Sequence, residues 1–117
     1  MKFVCLIHHT QEAFAQMSEA EHSAMQADSL SYDRELMDQG KLFLAQALRL
    51  PDEAKTVRSR RRKPMITDGP FAETKEQIVG LIVIEARDMD EAVQIAGRVP
   101  LARTGHVEVR EAYSIHD

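Results

Sequence analysis

Asp68 opens the run Asp68-Gly69-Pro70-Phe71-Ala72-Glu73-Thr74-Lys75-Glu76, and the residue two positions after it is a proline with no N–H. An Asx turn, the usual local use of a corner aspartate, needs that N–H, so the carboxylate must find its donor elsewhere. The donor is the Phe71 N–H, a lysine or arginine brought in by the fold, or a ligand. Arg58 and Lys75 are the cations considered. Either one, paired with Asp68 in a buried setting, would fix the loop or present a positive charge to an anionic substrate. Gly69 accepts unusual backbone angles, Pro70 biases it toward extended ones, and Phe71 can bury a ring beside the turn.

His22 is the second candidate for chemistry. It shares a helical stripe with Met25, Ser29, Tyr32 and Leu36. A histidine on that stripe turned toward a sheet would act as a general base near neutral pH, whereas one in a first helical turn more often sits at the surface. Tyr32 offers a phenol to a ligand, or packs with its hydroxyl at the rim of the core. His8 and His9 are adjacent and must point to opposite faces of a strand, which is poor spacing for a shared metal. No metal and no cofactor are expected. Cys5 lies within the apolar run Phe3–Ile7 and reads as a small buried hydrophobe. There is no Ser-His-Asp order, glycine-rich phosphate loop or Cys-x-x-Cys motif.

The elements that must position these residues follow from periodicity. Residues 2 to 8 and 78 to 84 are continuous apolar runs and predict two central strands. Ser18 with Glu21 forms a capping box and Gly40 a stop, predicting a helix over 19 to 39. Lys41 to Leu50 predicts a strand with Leu42 and Leu44 on one face and Phe43, Ala45 and Ala47 on the other, ended by Pro51-Asp52. Residues 56 to 58 and 65 to 67 predict a short hairpin around a basic tip. Asp88 with Glu91 caps a second helix, ended by Pro100, with Met89, Ala92, Val93, Ala96 and Val99 on its buried face. His106 to Tyr113 alternates like an edge strand. Without the hairpin the order is βαββαβ, an α+β, ferredoxin-like arrangement with two helices on one face of an antiparallel sheet.

Because the two central strands are apolar on both faces, the second sheet face needs a cover, and self-association with a ligand pocket at the interface is expected. The length of 117 residues suits one domain, residues 1 to 117. The net charge of −4 divides into −5 over residues 1 to 39, +6 over 40 to 63 and −5 over 64 to 117. Arg58-Ser59-Arg60-Arg61-Arg62-Lys63 supplies most of the positive block. An acidic domain without aromatics among those arginines argues against nucleic acid as partner and for a solvated turn. No signal-peptide pattern and no apolar stretch near ~20 residues is seen, so a cytoplasmic protein with no membrane partner is expected.

The Asp68–Gln77 run, Thr56-Val57-Arg58 upstream of it and the opening Met1-Lys2-Phe3 resemble the YCII-related family in its DGPF branch. The likeness extends through Gly80, the second helix and Val107-Glu108-Val109-Arg110. It implies a dimeric α+β barrel, hence a homodimer, and association with extracytoplasmic-function sigma factors. It also implies a cleft holding a histidine from the first helix and an aspartate. The helix histidine here is His22, about two turns before the aligned position, which holds Ser29, so His22 occupies another part of the cleft or the pair is missing. Two functions remain open. One is a proton-transfer enzyme, of isomerase or lyase type, acting on a small polar or anionic molecule, with His22 or Asp68 as base and Arg58 holding the anion. The other is a non-catalytic ligand-binding or regulatory module.

Overall fold

The computed structural model describes residues 1 to 116. In chain order the elements are β1 (Lys2–Thr10), α1 (Gln11–Gln16), α2 (Glu19–Asp38), β2 (Leu42–Ala47), β3 (Lys55–Arg60), β4 (Lys63–Asp68), β5 (Glu76–Glu85), α3 (Met89–Gly97) and β6 (His106–Glu111). β2, β5, β1 and β6 form an antiparallel sheet in that order, and β3 with β4 form a separate hairpin. This α+β order is compatible with the expected ferredoxin-like arrangement. Among the described residues, no helix is long and apolar enough to cross a membrane.

The alternation of β1 divides the molecule. Phe3, Cys5, Ile7 and His9 point under the helices and are buried, whereas Val4, Leu6, His8 and Thr10 on the other face are half-buried. β5 follows, with Ile82 and Ile84 beneath the helices and Leu81 and Val83 facing away. Tyr32 and Leu36 from α2 and Ala92, Ile95 and Ala96 from α3 complete the core. Burying side chains such as Phe3, Leu36 and Ile84 contributes roughly 1.5–3 kcal/mol each.

Both helix starts are capped as expected. Ser18 Oγ accepts from the Glu21 N–H at 3.1 Å while Glu21 reaches back to the Ser18 N–H. Asp88 accepts from the Glu91 N–H at 2.9 Å, but the Glu91 carboxylate turns to the Arg87 N–H and guanidinium, so that second box is only half formed. α1 was not expected from the sequence: Thr10, the last residue of β1, caps it by accepting from the Ala13 N–H. β2 is shorter than predicted, and its register slips between Leu42 and Leu44. That bulge pairs Leu42 with the buried Ile84 and Leu44 with the outward Val83, so the two leucines face opposite sides rather than the same one.

Cys5 is fully buried, which pushes its thiol pKa up from 9.0 to about 11. Between those values the unfolded thiol has lost its proton and the folded one has kept it, so stability falls as pH rises through this window. A urea midpoint that drops from pH 9 to 11, and drops less in Cys5→Ala, is the expected outcome; equal drops in both proteins would refute the assignment.

Candidate functional site

β4 ends at Asp68, which lies opposite Lys55 in the hairpin ladder, and the Lys55 ammonium donates to its carboxylate. The missing donor is therefore Lys55, not Arg58, Lys75 or the Phe71 N–H. Both partners are well exposed, and such surface pairs contribute at most about 1 kcal/mol. The corner is closed by backbone instead. Gly69 has φ +94°, a left-handed conformation that suits glycine, its N–H donates to the Ala54 carbonyl at 2.7 Å, and its carbonyl accepts from Thr56 Oγ1 at 2.8 Å. Gln77 then pins the following loop by donating to the carbonyls of Ala72 and Thr74 at 2.6 and 3.0 Å. Phe71 does not bury its ring. It is 91% exposed and stands at the rim of a cavity.

His22 lies on the outer surface of α2, with its ring Nε2–H donating to the Phe14 carbonyl at 2.9 Å and its plane stacked over Phe14 at 6.3 Å. Phe14 in turn packs 4.6 Å from the ring of His9. His9, almost wholly buried, accepts from the Thr10 N–H at Nδ1 and therefore donates from Nε2 to Thr104 Oγ1 at 2.7 Å. Tyr32 is buried, and its hydroxyl donates to the Ile95 carbonyl at 2.7 Å. Desolvation pushes the Tyr32 phenol pKa up, opposed by the Arg98 guanidinium 4.9 Å over its ring. Arg98 also grips Glu35 through two hydrogen bonds of 2.5 and 3.0 Å, which hold that carboxyl below its usual range. Arg58 stands in the ladder opposite Met65 and is exposed.

Two cavities meet at the Pro51, Pro70, Thr74 and Gln77 wall. The larger, about 530 Å³, lies between the outward end of the sheet, represented by His8, Glu76 and Ile78, and an apolar rim of Leu48, Leu50, Pro70 and Phe71. The smaller, about 300 Å³, includes Thr10, Glu12 and Lys75. Of the residues singled out in the sequence, Phe71 and Lys75 line these cavities; Asp68, His22, Arg58 and Tyr32 line neither. Both volumes fall at the scale of small-molecule sites.

The outward sheet face brings together a group that sequence reading missed. His8 and His106 are direct partners across β1 and β6, which places their Cβ atoms roughly 4.5–5.5 Å apart. His106 Nδ1 lies 2.7 Å from Glu76 Oε1. With Nδ1–H donated to that carboxylate, Nε2 carries the lone pair. His8 Nε2 is shut off from solvent without a hydrogen-bond partner, and Glu108 Oε1 approaches it to 3.4 Å. Gly105 makes the crossing feasible: a Cβ there would lie 2.3 Å from the His8 carbonyl oxygen and 2.7 Å from the His9 ring. Among the described residues, no three His, Cys, Asp or Glu side chains are placed to hold a metal ion. Alternation separates His8 from His9 and places Glu108 outward, but the β1–β6 register that joins them is long-range information.

Against known proteins, the YCII-related domain model matches residues 1 to 115. The chain belongs to the YCII-related family. An uncharacterized protein of Rhizobium meliloti (strain 1021) is similar to it, with 31% identity over 112 residues, covering 94% of this chain and 90% of that protein.

The geometry of Tyr32 generates a direct check. Tyr32→Phe removes one of two donors to the Ile95 carbonyl, which keeps the Arg98 N–H at 3.2 Å, and is expected to destabilise the fold by about 0.5–1.5 kcal/mol in urea unfolding. A loss well under that range would show that the hydroxyl is not committed to the core.

Proposed function

We propose that this protein binds a small molecule in the larger cavity and performs proton-transfer chemistry there, of isomerase or lyase type. The observation that carries the reading is His8, which lines the cavity and whose Nε2 is shut off from solvent with no hydrogen bond, the Glu108 carboxylate standing off at 3.4 Å. An orphaned polar atom in such a place suits a ligand group that supplies its missing hydrogen bond. Beside it, the Glu76–His106 pair has the form of an oriented general base, in which the carboxylate fixes the tautomer and offsets the charge the imidazole gains on accepting a proton. In this reading the role first sought in His22 and Asp68 falls to His8, which lines the cavity, with His106 beside it through the Glu76 carboxylate that also lines it; His22 and Asp68 hold the Phe14 carbonyl and Lys55 instead. Leu48, Leu50 and Phe71 would take the apolar part of the ligand.

In this reading the protein works as a homodimer. Val4, Leu6, Leu81 and Val83 form the half-covered outward face, and a second sheet laid over it would shield the cavity from water. The openness of the cavity and the exposed Phe71 ring also suit a regulatory module whose partner is a protein, such as an extracytoplasmic-function sigma factor.

A thermal-shift screen of small carboxylic and hydroxy acids tests the pocket. A bound compound at one hundred times its Kd stabilises by about 2.7 kcal/mol, visible as a raised melting midpoint. That rise should vanish in His8→Ala and fall in Glu76→Gln while persisting in His22→Ala. A hit whose stabilisation depends on His22 and not on His8 would overturn the assignment.

A further inference from the structure

The β3–β4 hairpin makes its substantial contacts only within itself, and its two legs are closed at the base by bonds among Ala54, Thr56 and Gly69. It extends the molecule: the radius of gyration is 16.1 Å, against about 13 Å for a compact chain of this length. A lone two-stranded hairpin is marginal in water, yet this one is amphipathic. Val57, Ile66 and Pro64 share one exposed face with Ser59 and, at its base, the Lys55–Asp68 pair; Arg58, Arg60 and Lys63 occupy the other with Met65. The tip is a two-residue turn in which Arg61 and Arg62 both adopt positive φ, 51° and 66°, a geometry that favours Asn-Gly. Two arginines are therefore held where their backbone is disfavoured, and among the described residues none of the five cations from Arg58 to Lys63 has an ion-pair partner.

We infer that this hairpin is an arm that grips a second copy of the chain, apolar face inward and arginine tip on the copy's acidic surface. Charge argues for that occupant. Outside the arm's five cations the chain has ten basic residues against nineteen acidic ones, so the body of a second copy is strongly complementary to the arm. The exposed Val57 and Ile66 argue for a protein surface over a polyanion, whose phosphates would leave them uncovered. The inference rests on the homodimer proposed above and adds the residues that hold it.

Sedimentation equilibrium of the full chain at low and high salt tests it. Arg61→Asn with Arg62→Gly removes two charges while suiting the turn, and Val57→Thr with Ile66→Thr reduces the apolar face while keeping strand preference. Each double variant is expected to weaken dimerisation at least tenfold, and the arginine variant to flatten its salt dependence. A wild-type dimer whose affinity and salt response ignore both variants overturns the arm alone. A wild-type monomer at tens of micromolar overturns the homodimer and the arm together. Duplex DNA binding that the arginine variant abolishes, with dimer affinity unchanged, would assign the arm to a polyanion and overturn the inference.

Discussion

Everything in this molecule depends on the two-residue alternation of β1, the strand that is bonded to β5 on one side and β6 on the other. Phe3, Cys5, Ile7 and His9 are sealed beneath the helices, and a shift of one residue would exchange them for Val4, Leu6, His8 and Thr10. The register is held at both ends. The Ala86 N–H bonds the Met1 carbonyl, and His9 is locked between Thr10 and Thr104. Fixing His9 inward also fixes His8 outward, so the stability of the core and the position of the candidate base have the same cause.

That outward face is the less buried side of the sheet. The molecule is a slab only 19 Å along its shortest axis, which accommodates a sheet and one helical layer. Its uncovered face presents aliphatic residues at one end and the His8, His106, Glu76 and Glu108 group at the other. A cover over this face would remove water from both, strengthening the interaction of each imidazole with its carboxylate as the local dielectric falls. The Gln77-pinned loop carrying Pro70 and Phe71 already forms one wall. The Asp68–Phe71 corner thus supplies Pro70 and Phe71 to the cavity wall, while its aspartate pairs with Lys55 at the surface.

The sequence made much of this fold legible because the strong signals are local. Both doubly apolar runs are central strands, the Ser18–Glu21 box starts α2, and Val107 and Val109 alternate with Glu108 and Arg110 as an edge strand should. What escaped depends on distance. The Leu42–Leu44 bulge arises from how β2 meets β5, and the donor to Asp68 is Lys55, thirteen residues earlier and adjacent only through the hairpin register. Phe71 can bury a ring beside the turn, yet it stands 91% exposed, since its neighbours in space are set by the fold and not by the local run. The sequence directs attention to His22 on a helix, while the histidine with an unmet hydrogen bond is His8, whose neighbours His106 and Glu108 lie about a hundred residues away in sequence.

The central claim is that His8 and His106, and not His22, face the ligand. Imidazole nitrogen NMR on the full chain, followed through titration with a compound selected by thermal shift, tests it most directly. The account predicts that the His8 and His106 resonances move with saturation while those of His22 and the locked His9 stay in place. Movement confined to His22, with His8 and His106 unchanged, would contradict it.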